Sequence, residues 1–395
     1  MATDHGNAPA VRRKRIAFVI NSLAGGGAER VMTTLLVGLE ARLSEYDIHL
    51  ILLDREPARH TVPGYVRTHQ LDCRFRLFRT LLFLSRALRR LSPDVVVSFL
   101  ERSNVANVVC GAALRHRSLV CEHTNTSTHL GSGPAGWLKK LVVRLTYPRA
   151  NRVIAVSNGT RDDLIENFGV SADKVDVINN PVDRERILSQ SRSEATIAAP
   201  AEYAVAVGRL VPIKNFSLLI EALARTPDLN LVILGEGPER KGLEDKVRSN
   251  GLTNRVVLPG YVENPFPIIA KASFFVSSSK YEAFPMALVE AMCLGLPVIA
   301  TDCPTGPAEI LSGKNRPEQG DDFAREFGIL VPTDHPEAMS QALRLMSDPD
   351  VRAAYSRKSL ERSLSFSASA ARERYAETIR ALLDGPRLGR DRQSR

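Results

Sequence analysis

The hydrophobic positions of the chain form short continuous runs that alternate with stretches of helical spacing. The first run, at 16–20, is followed by a glycine-rich turn at 21–27 and by apolar residues at helical spacing over 28–43. A strand buried in a parallel sheet is apolar on both faces, whereas a surface helix is apolar along one stripe. The alternation therefore predicts an α/β protein with open parallel sheets.

Two successive series of these runs occur along the chain. Further strands of the first series are predicted at 48–53, 94–99, 119–121, 151–156 and 175–178. Strands of the second series are predicted at 203–207, 229–234, 256–258, 272–276 and 298–301. Two series in a chain of 395 residues predict two domains, and Ser157 is predicted to cap the helix that follows 151–156.

The domain limits follow from the ends of the two series. Residues 1–14 are predicted to be disordered, and 385–395 to be a frayed basic tail. The predicted segments between them are an N-terminal domain at 15–185, a linker at 186–200, a C-terminal domain at 201–370 and a final helix at 371–384. This final helix is expected to cross back to the N-terminal domain.

The stretch 277–310 places two acids, Glu282 and Glu290, eight positions apart. Helical spacing begins at Ala287 and Gly295 is placed to end the helix, so Glu282 is predicted in the preceding loop and Glu290 in the first turns. Loops at this edge of an open parallel sheet bind ligands, and acids there can hold sugar or ribose hydroxyls. Alternatively, Glu290 is an exposed helix residue and Glu282 an acid favoured by the helix dipole.

Two cations, Arg209 and Lys214, lie in a turn that follows another predicted strand of the same domain. Arginine binds phosphate through its bidentate fork and lysine binds it as a point charge, so the pair suits a diphosphate. The alternative is a pair of solvated loop cations. Their occurrence in one domain with Glu282 and Glu290 favours a common site.

The motifs that contain these residues resemble those of glycosyltransferase family 4. GRLVPIKN at 208–215 is followed by YEAFPMALVEAMCLGLPVIATD at 281–302. SLAGGGAERV, INNPVD, LGEGPE, LPGYVEN, CPTGPAEIL and GILVP extend the resemblance from Ile16 to about Leu383. It implies the GT-B fold, in which two Rossmann-like doubly wound domains face a cleft, and retaining transfer from a nucleotide diphosphate sugar.

The resemblance also implies roles for individual side chains. Arg209 and Lys214 would hold the donor diphosphate and stabilise the leaving nucleotide. Glu282 would bind the hydroxyls of the donor sugar, and Glu290 would bind the ribose. His123 matches the active-site histidine of the first domain; the alternative is a hydrogen-bonded loop histidine.

Backbone positions complete the site that the resemblance implies. Amides near Phe284 and Met286, with Ala287 beside them, would approach the sugar or phosphate. Gly26 and Gly27 of the opening turn would let the backbone of the first domain close on the diphosphate. The chain departs from the family pattern where Ala283 replaces a glycine, and we expect no strain because we expect no positive φ there.

The charge distribution predicts an anionic partner for the first half of the chain. The formal charge is +9, and residues 1–190 hold 27 Lys and Arg against 18 Asp and Glu. Residues 74–90 contain six arginines interleaved with Phe and Leu, and 137–145 are similar in character. Such a helix can bind an anionic membrane surface; alternatively, it covers its own sheet and points its arginines to water.

Several functional classes are disfavoured by the sequence. The GGG turn lacks the G-x-G-x-x-G spacing of a dinucleotide site, and no nucleic-acid-binding module is present. Five scattered cysteines without a CxxC pair are typical of reduced thiols in the cytosol, and no apolar run approaches the length of a membrane span. No DxD signature occurs in a suitable loop, so we expect no metal or other cofactor.

These observations predict a retaining, metal-independent hexosyltransferase. It would move a hexose or N-acetylhexosamine from a nucleotide diphosphate sugar, with UDP as the expected nucleotide, to a growing glycan on a polyprenyl diphosphate. It would be cytoplasmic and peripheral at the inner face of the membrane. The alternatives are transfer to a soluble acceptor and a non-catalytic scaffold that binds nucleotide sugar or glycan.

Overall fold

A computed structural model describes residues 12–313 and 324–385, in which strands alternate with helices. The strands are β1 (Arg15–Ile20), β2 (Asp47–Leu52), β3 (Arg67–Gln70), β4 (Val95–Phe99), β5 (Arg117–Glu122), β6 (Arg152–Ala155), β7 (Val175–Val177), β8 (Ala204–Val207), β9 (Leu231–Leu234), β10 (Val256–Gly260), β11 (Phe274–Ser277), β12 (Val298–Thr301), β13 (Ala324–Arg325) and β14 (Gly328–Val331). The helices are α1 (Gly27–Leu39), α2 (Leu77–Leu91), α3 (Glu101–Leu114), α4 (Thr126–His129), α5 (Gly133–Thr146), α6 (Asn158–Phe168), α7 (Arg184–Ser191), α8 (Phe216–Ala224), α9 (Arg240–Ser249), α10 (Phe266–Ala270), α11 (Met286–Cys293), α12 (Pro307–Ser312), α13 (Pro336–Ser347), α14 (Pro349–Ser363) and α15 (Ala368–Asp384).

The strands form two seven-stranded sheets that share one strand order over their first five strands and differ in the last two. Their orders are β3-β2-β1-β4-β5-β6-β7 and β10-β9-β8-β11-β12-β14-β13. β1 pairs in parallel with β2 and β4, β8 pairs in parallel with β9 and β11, and β13 is antiparallel to β14. The strand order reverses at β1/β4 and at β8/β11, and a doubly wound sheet binds ligands at such a reversal. The predicted α/β class with two doubly wound sheets is confirmed.

The second sheet is covered on both faces, which explains its continuous apolar runs. Ala204 and Ala206 of β8 belong to a core cluster that contains buried residues of α8 and α13. Val205, which lies between them, belongs to the other cluster with buried residues of α10 and α11. Because successive strand residues point to opposite faces, every position of β8 is apolar.

The structure contains three strands that were not among the predicted runs, β3, β13 and β14. In β3 all four residues are exposed, and the strand pairs with β2 alone at the end of the sheet. An exposed edge strand has no buried face, so no apolar run marks it. β13 spans two residues and pairs with β14.

Contacts divide the chain into two compact units. The first comprises Met1–Cys121, Arg149–Val153 and Glu373–Arg395, as far as these are described, and the second comprises Glu122–Pro148 and Ile154–Arg372. Residues 122–148 and 154–185 thus group with the second unit, although the predicted domain limits place them in the N-terminal domain. Helix α7 includes the start of the predicted linker. The limits given above for the two domains and the linker therefore stay a prediction.

The ends of the chain are described in part. Residues 1–11 of the predicted disordered segment and 386–395 of the predicted tail lie outside the described residues. Lys14 is ordered, because its Nζ donates to the carbonyl oxygen of Leu383 at 3.0 Å. Within the first unit, Arg42 also pairs with Glu373 of α15 at 2.8 Å. In the described part of the chain, no helix is both long and apolar enough to cross a bilayer.

Gly235 is a position where the fold requires a glycine. It follows β9 with φ of +147°, and a Cβ added there would lie 1.9 Å from the carbonyl oxygen of Gly208. The loop after β9 therefore packs directly against the loop that contains Arg209 and Lys214. No side chain can be inserted without moving backbone.

We predict that Gly235→Ala lowers the free energy of unfolding by about 3 kcal/mol or more, because backbone must shift to accept the methyl group. Gly242 in α9 is the matched control, since a Cβ there meets no atom within 4 Å. Gly242→Ala should stabilise the protein by up to about 1 kcal/mol. Urea denaturation of both variants measures the difference, and equal stabilities would contradict the close approach.

Candidate functional site

Lys214 and Glu282 meet at the point where the strand order of the second sheet reverses. Lys214 follows β8 and Glu282 follows β11, and these strands are neighbours. The Nζ of Lys214 lies 2.5 Å from the Oε1 of Glu282, and the side chains are 27% and 13% exposed. The hydroxyl of Ser279 donates to the same carboxylate oxygen at 2.7 Å. The structure thus brings one predicted diphosphate ligand and the predicted sugar ligand into contact.

Backbone contacts hold the two loops together. The amide of Lys280 donates to the carbonyl oxygen of Ile213 at 2.8 Å, and the hydroxyl of Ser278 donates to that of Lys214 at 2.9 Å. An ammonium group has three N–H donors, so the bond to Glu282 leaves two donors on Lys214 for a ligand. The pair can therefore bind an anion and still accept hydrogen bonds at Glu282.

Arg209 lies in the same loop as Lys214 but is more exposed. Its side chain is exposed, and it has no ion-pair partner in the part of the chain that the structure describes. A Cβ on the neighbouring Gly208 would lie 3.4 Å from the Cδ of Lys214, so the lysine side chain runs over this glycine. The loop therefore offers one paired cation and one exposed cation.

The loop 282–286 and helix α11 decide between the interpretations of the two acids. Glu282 precedes the first residue of α11, Met286, by four positions, so it is not an acid of the first helical turn. Glu290 is 4% exposed, so the alternative that it is an exposed helix residue is wrong. Ala283 is not among the non-glycine residues with positive φ, which confirms the expectation that it causes no strain.

The predicted backbone positions lie at the start of α11. Pro285 occupies the N-cap position, and Met286 and Ala287 are the first residues of the helix. The ring of Phe284 is 6% exposed and packs edge-on against that of Phe366, with centroids 5.4 Å apart. The side chain of Phe284 is thus part of the core, and its backbone amide remains the candidate ligand.

A second ion pair beside this site was not predicted. Lys280 lies 2.8 Å from the Oδ1 of Asp334, which also accepts from the Nδ2 of Asn215 at 3.0 Å. Asp334 has a φ of +54°, a conformation that Asp tolerates better than most residues. Asp334 could have been identified as a candidate from its position two residues after GILVP, a motif that was quoted for its resemblance alone.

His123 follows β5 and is held by Asn180. Its Nδ1 lies 3.1 Å from the Oδ1 of Asn180, and burial lowers the pKa of His123 to about 4, although this hydrogen bond raises it. The preceding Glu122 is buried and accepts hydrogen bonds from the amide of Thr124 and the hydroxyl of Tyr147, both at 2.9 Å. Asn180 was not singled out because INNPVD was quoted for its resemblance alone.

Gly26 and Gly27 lie in the other unit, at the start of α1. Gly26 is the N-cap residue, with φ of −167°, and Gly27 is the first helical residue. A Cβ on Gly26 would lie 2.4 Å from a carboxylate oxygen of Glu29, whereas one on Gly27 would meet no atom within 4 Å. The turn therefore leaves open space at Gly27, as a close approach to a ligand requires.

Two protein-family models match most of the chain between them. Glycosyltransferase Family 4 matches residues 25–186, and Glycosyl transferases group 1 matches residues 189–362. A curated relative from Campylobacter jejuni is N-acetylgalactosamine-N,N'-diacetylbacillosaminyl-diphospho-undecaprenol 4-alpha-N-acetylgalactosaminyltransferase. The two are 32% identical over an alignment of 367 positions that covers 89% of this chain and 96% of the relative.

Solved structures share the whole fold. Sucrose-phosphate synthase from Thermosynechococcus elongatus is 20% identical with a TM-score of 0.79, covering 95% of this chain and 100% of that one. Anabaena HepE in complex with UDP is 19% identical with a TM-score of 0.72, covering 93% of this chain and 100% of that one. At these identities the likeness shows the fold.

We predict that His123 stays neutral at physiological pH and titrates near pH 4 in an NMR titration, with His123→Gln used to assign its signals. The ordinary pKa of histidine is about 6.5, so the unfolded chain takes up a proton first as the pH falls. His123 therefore contributes stability that is complete above pH 6.5 and is lost toward pH 4. Asn180→Asp should raise the midpoint, and a wild-type midpoint above 6 would contradict the burial.

Proposed function

The chain belongs to glycosyltransferase family 4 and has the GT-B fold, and from this membership we propose that it is a retaining, metal-independent hexosyltransferase acting on a lipid-linked glycan. The donor is a nucleotide diphosphate sugar that supplies a hexose or N-acetylhexosamine, with UDP as the proposed nucleotide. The acceptor is a growing glycan on a polyprenyl diphosphate. The enzyme works at the cytoplasmic face of the membrane.

One observation supports this proposal most directly: the contact between Lys214 and Glu282 at the reversal of strand order in the second sheet. A cation for phosphate and an acid for sugar hydroxyls are needed side by side where a sugar is bonded to a diphosphate. A site for a free nucleotide needs no carboxylate beside its phosphates. The pair therefore supports a nucleotide sugar over a nucleotide alone.

The proposed chemistry is a same-face displacement at the anomeric carbon. The acceptor oxygen forms a bond to this carbon while the bond to the β-phosphate oxygen breaks, and the electron pair leaves with the phosphate. The acceptor proton passes to the departing phosphate. Arg209 and Lys214 stabilise the developing charge, and in a preorganised site such donors contribute on the order of 3 kcal/mol each. Two cations supply the positive charge that a metal ion would otherwise provide, which is why we propose metal independence.

The remaining candidate residues bind and orient the donor in this proposal. Glu290 holds the ribose, and the backbone amides of Phe284, Met286 and Ala287 approach the sugar or phosphate. Gly26 and Gly27 give the backbone of the opening turn access to the diphosphate. His123, neutral at pH 7, is a hydrogen-bonding group of the reaction centre.

The acceptor part of the proposal comes from the Campylobacter jejuni relative, whose name specifies a sugar linked to diphospho-undecaprenol. The relative is similar over 89% of this chain, so the likeness includes the segment before residue 186, which we propose binds the acceptor. A lipid-linked acceptor also suits the excess of positive charge in that half of the chain. Transfer to a soluble acceptor is the alternative.

The function is tested with the purified full chain, a panel of nucleotide sugars and a polyprenyl-diphosphate glycan, with EDTA in one arm. We expect transfer from a UDP-sugar, retained anomeric configuration in the NMR spectrum of the product, and no loss of rate with EDTA. Lys214→Ala should lower turnover by about 100-fold or more, because one donor to the leaving phosphate is lost.

Lys241→Ala is the matched control, since Lys241 is an exposed lysine of α9 in the same unit and should leave the rate unchanged. An unchanged rate in Lys214→Ala would exclude the phosphate assignment. Nucleotide binding without any turnover, equal in wild type and Glu282→Ala, would favour the non-catalytic scaffold.

Helix α2 supports the membrane part of the proposal. It buries Thr80, Leu84 and Leu88, so one face covers the sheet, as the alternative interpretation requires. The other side exposes the ring of Phe78, which is 77% accessible, and Phe75, just before the helix, is 64% accessible. Arg76 at the N-cap and Arg86, Arg89 and Arg90 within the helix are exposed, and no acid occurs in the helix. One face of α2 thus covers its own sheet, as one interpretation predicts. Its outer face suits an anionic lipid surface, as the other interpretation predicts.

We predict that a triple charge reversal of exposed arginines at the N-cap of α2 and within it strongly reduces sedimentation of the protein with phosphatidylglycerol vesicles. The variant changes Arg76, Arg86 and Arg89 to Glu. Binding should fall at least tenfold, because each cation near an anionic surface contributes about 1 kcal/mol.

Charge reversal of three exposed cations elsewhere is the control: Lys241, Arg357 and Arg374 to Glu. It changes the net charge equally and should retain most of the binding. Equal loss in both variants would mean that net charge, and not α2, attracts the protein to the vesicle.

A further inference from the structure

Glu309, in the first turn of α12, connects the segment after β12 to helix α6. One carboxylate oxygen accepts from the amide of Gly159 at 2.7 Å, and the other accepts from the amide of Asn158 at 2.9 Å and from its Nδ2 at 3.2 Å. These amides are at the N-terminus of α6, where backbone N–H groups lack helical partners and negative charge is favoured. Glu309 thus caps a helix that lies 150 positions earlier in the chain.

The loop between β12 and Glu309 supports the segment that contains Glu282. The hydroxyl of Thr305 donates to the carbonyl oxygen of Glu282. Gly306 has φ of +85°, and a Cβ there would lie 2.8 Å from the carbonyl oxygen of Ala283. Thr305 and Gly306 therefore fix the backbone of Glu282 and Ala283 from one side.

The same loop is fixed by α6 on its other side. A Cβ on Gly159 would lie 2.6 Å from the Cγ2 of Thr305, so this threonine is confined between Gly159 and the backbone of Glu282. The hydrogen bonds of Glu309 to the amides of α6 hold Gly159 in that place. Displacement of α6 from Glu309 would release Thr305, and with it Glu282.

Arg362 strengthens the attachment of Glu309. Its guanidinium donates to the carbonyl oxygens of Glu309 and Ile310 at 3.0 and 2.9 Å. It also lies over the ring of Phe366, 4.9 Å from the centroid, and this ring packs against Phe284. A second set of contacts thus links the backbone of Glu309 to the loop 282–286.

We propose that Glu309 is a positioning residue of the transfer reaction, which holds Thr305 and the backbone of Glu282 so that the Glu282 carboxylate stays against Lys214. The inference rests on the proposed function, because it assumes that Glu282 binds the donor sugar. In this proposal Glu309 acts through Thr305 and Glu282, because its carboxylate is bonded to Asn158 and Gly159. A displacement of reacting groups by about 1 Å can cost as much as a hundredfold in rate, so the loss of this support is measurable.

The test is Glu309→Gln, which keeps the shape of the side chain and replaces one charged acceptor by an NH₂ group that faces backbone N–H donors. We expect kcat for transfer to fall about tenfold while the Kd for UDP changes less than threefold, since UDP carries no donor sugar for Glu282 to bind. Glu361→Gln is the control, because Glu361 is an exposed acid of α14. A rate for Glu309→Gln equal to that of the control would overturn the inference.

A double-mutant cycle separates positioning from general destabilisation. Thr305→Val removes the hydrogen bond to Glu282 and retains the branched shape. Combined with Glu309→Gln, it should lower kcat no further than the stronger single variant does, because both changes break one chain of support. Independent effects that multiply, or a loss of rate that follows a fall in thermal stability, would overturn the inference.

Hydrogen exchange read by mass spectrometry tests the coupling without any assay of transfer. Glu309→Gln should accelerate exchange in the peptide that contains 282–286 several-fold, relative to wild type and to Glu361→Gln. Unchanged exchange there would overturn the inference. Accelerated exchange, together with full transfer by Glu282→Ala, would instead show that the coupling exists and that the proposed role of Glu282 is wrong.

Discussion

The candidate site depends on one electrostatic constraint, the pairing of a largely buried carboxylate with an ammonium group. Glu282 is 13% exposed, and a carboxylate removed from water needs a charged or hydrogen-bonding partner. Lys214 supplies it from a segment 68 positions earlier in the chain. The two can meet because β8 and β11, although not consecutive in sequence, are neighbours in the sheet and end at the same edge. The parallel topology therefore creates the pair.

Close packing of backbone keeps this pair in place. Gly235 and Gly237 leave no room for a Cβ against the carbonyl oxygens of Gly208 and Leu210, at 1.9 and 2.3 Å. The loop after β8 is thus supported by the loop after β9, as the loop after β11 is supported by Thr305 and Gly306. Such contacts involve main-chain atoms, which have less freedom to move than side chains. The position of Lys214 and Glu282 is consequently set by the fold and not by the flexibility of the lysine side chain.

The features predicted correctly from the sequence are those that depend on neighbouring residues, namely the strands and the helix ends. All eleven apolar runs are strands, and the hydroxyl of Ser157 accepts from the amide of Thr160 as a helix cap does. The spacing of Glu282 and Glu290 correctly placed one acid before α11 and the other within it. The contacts of Glu309 with α6 and of Lys280 with Asp334 were not predictable in this way. They join residues that are distant in the sequence through polar atoms. Such contacts produce no regular spacing of residue types from which they could be predicted.

The Lys214–Glu282 pair has a consequence for what the proposed site accepts. A diphosphate that takes hydrogen bonds from Lys214 weakens the hold of the lysine on Glu282, and a carboxylate that loses its cation in a site with little water is destabilised. A sugar hydroxyl that donates to Glu282 replaces the lost interaction. In a molecule that carries both groups, the sugar hydroxyl thus restores to Glu282 the interaction that the phosphate weakens. A nucleotide without its sugar would pair with the lysine and leave the acid with Ser279 alone, so in the proposed site the pair would favour the donor over the product.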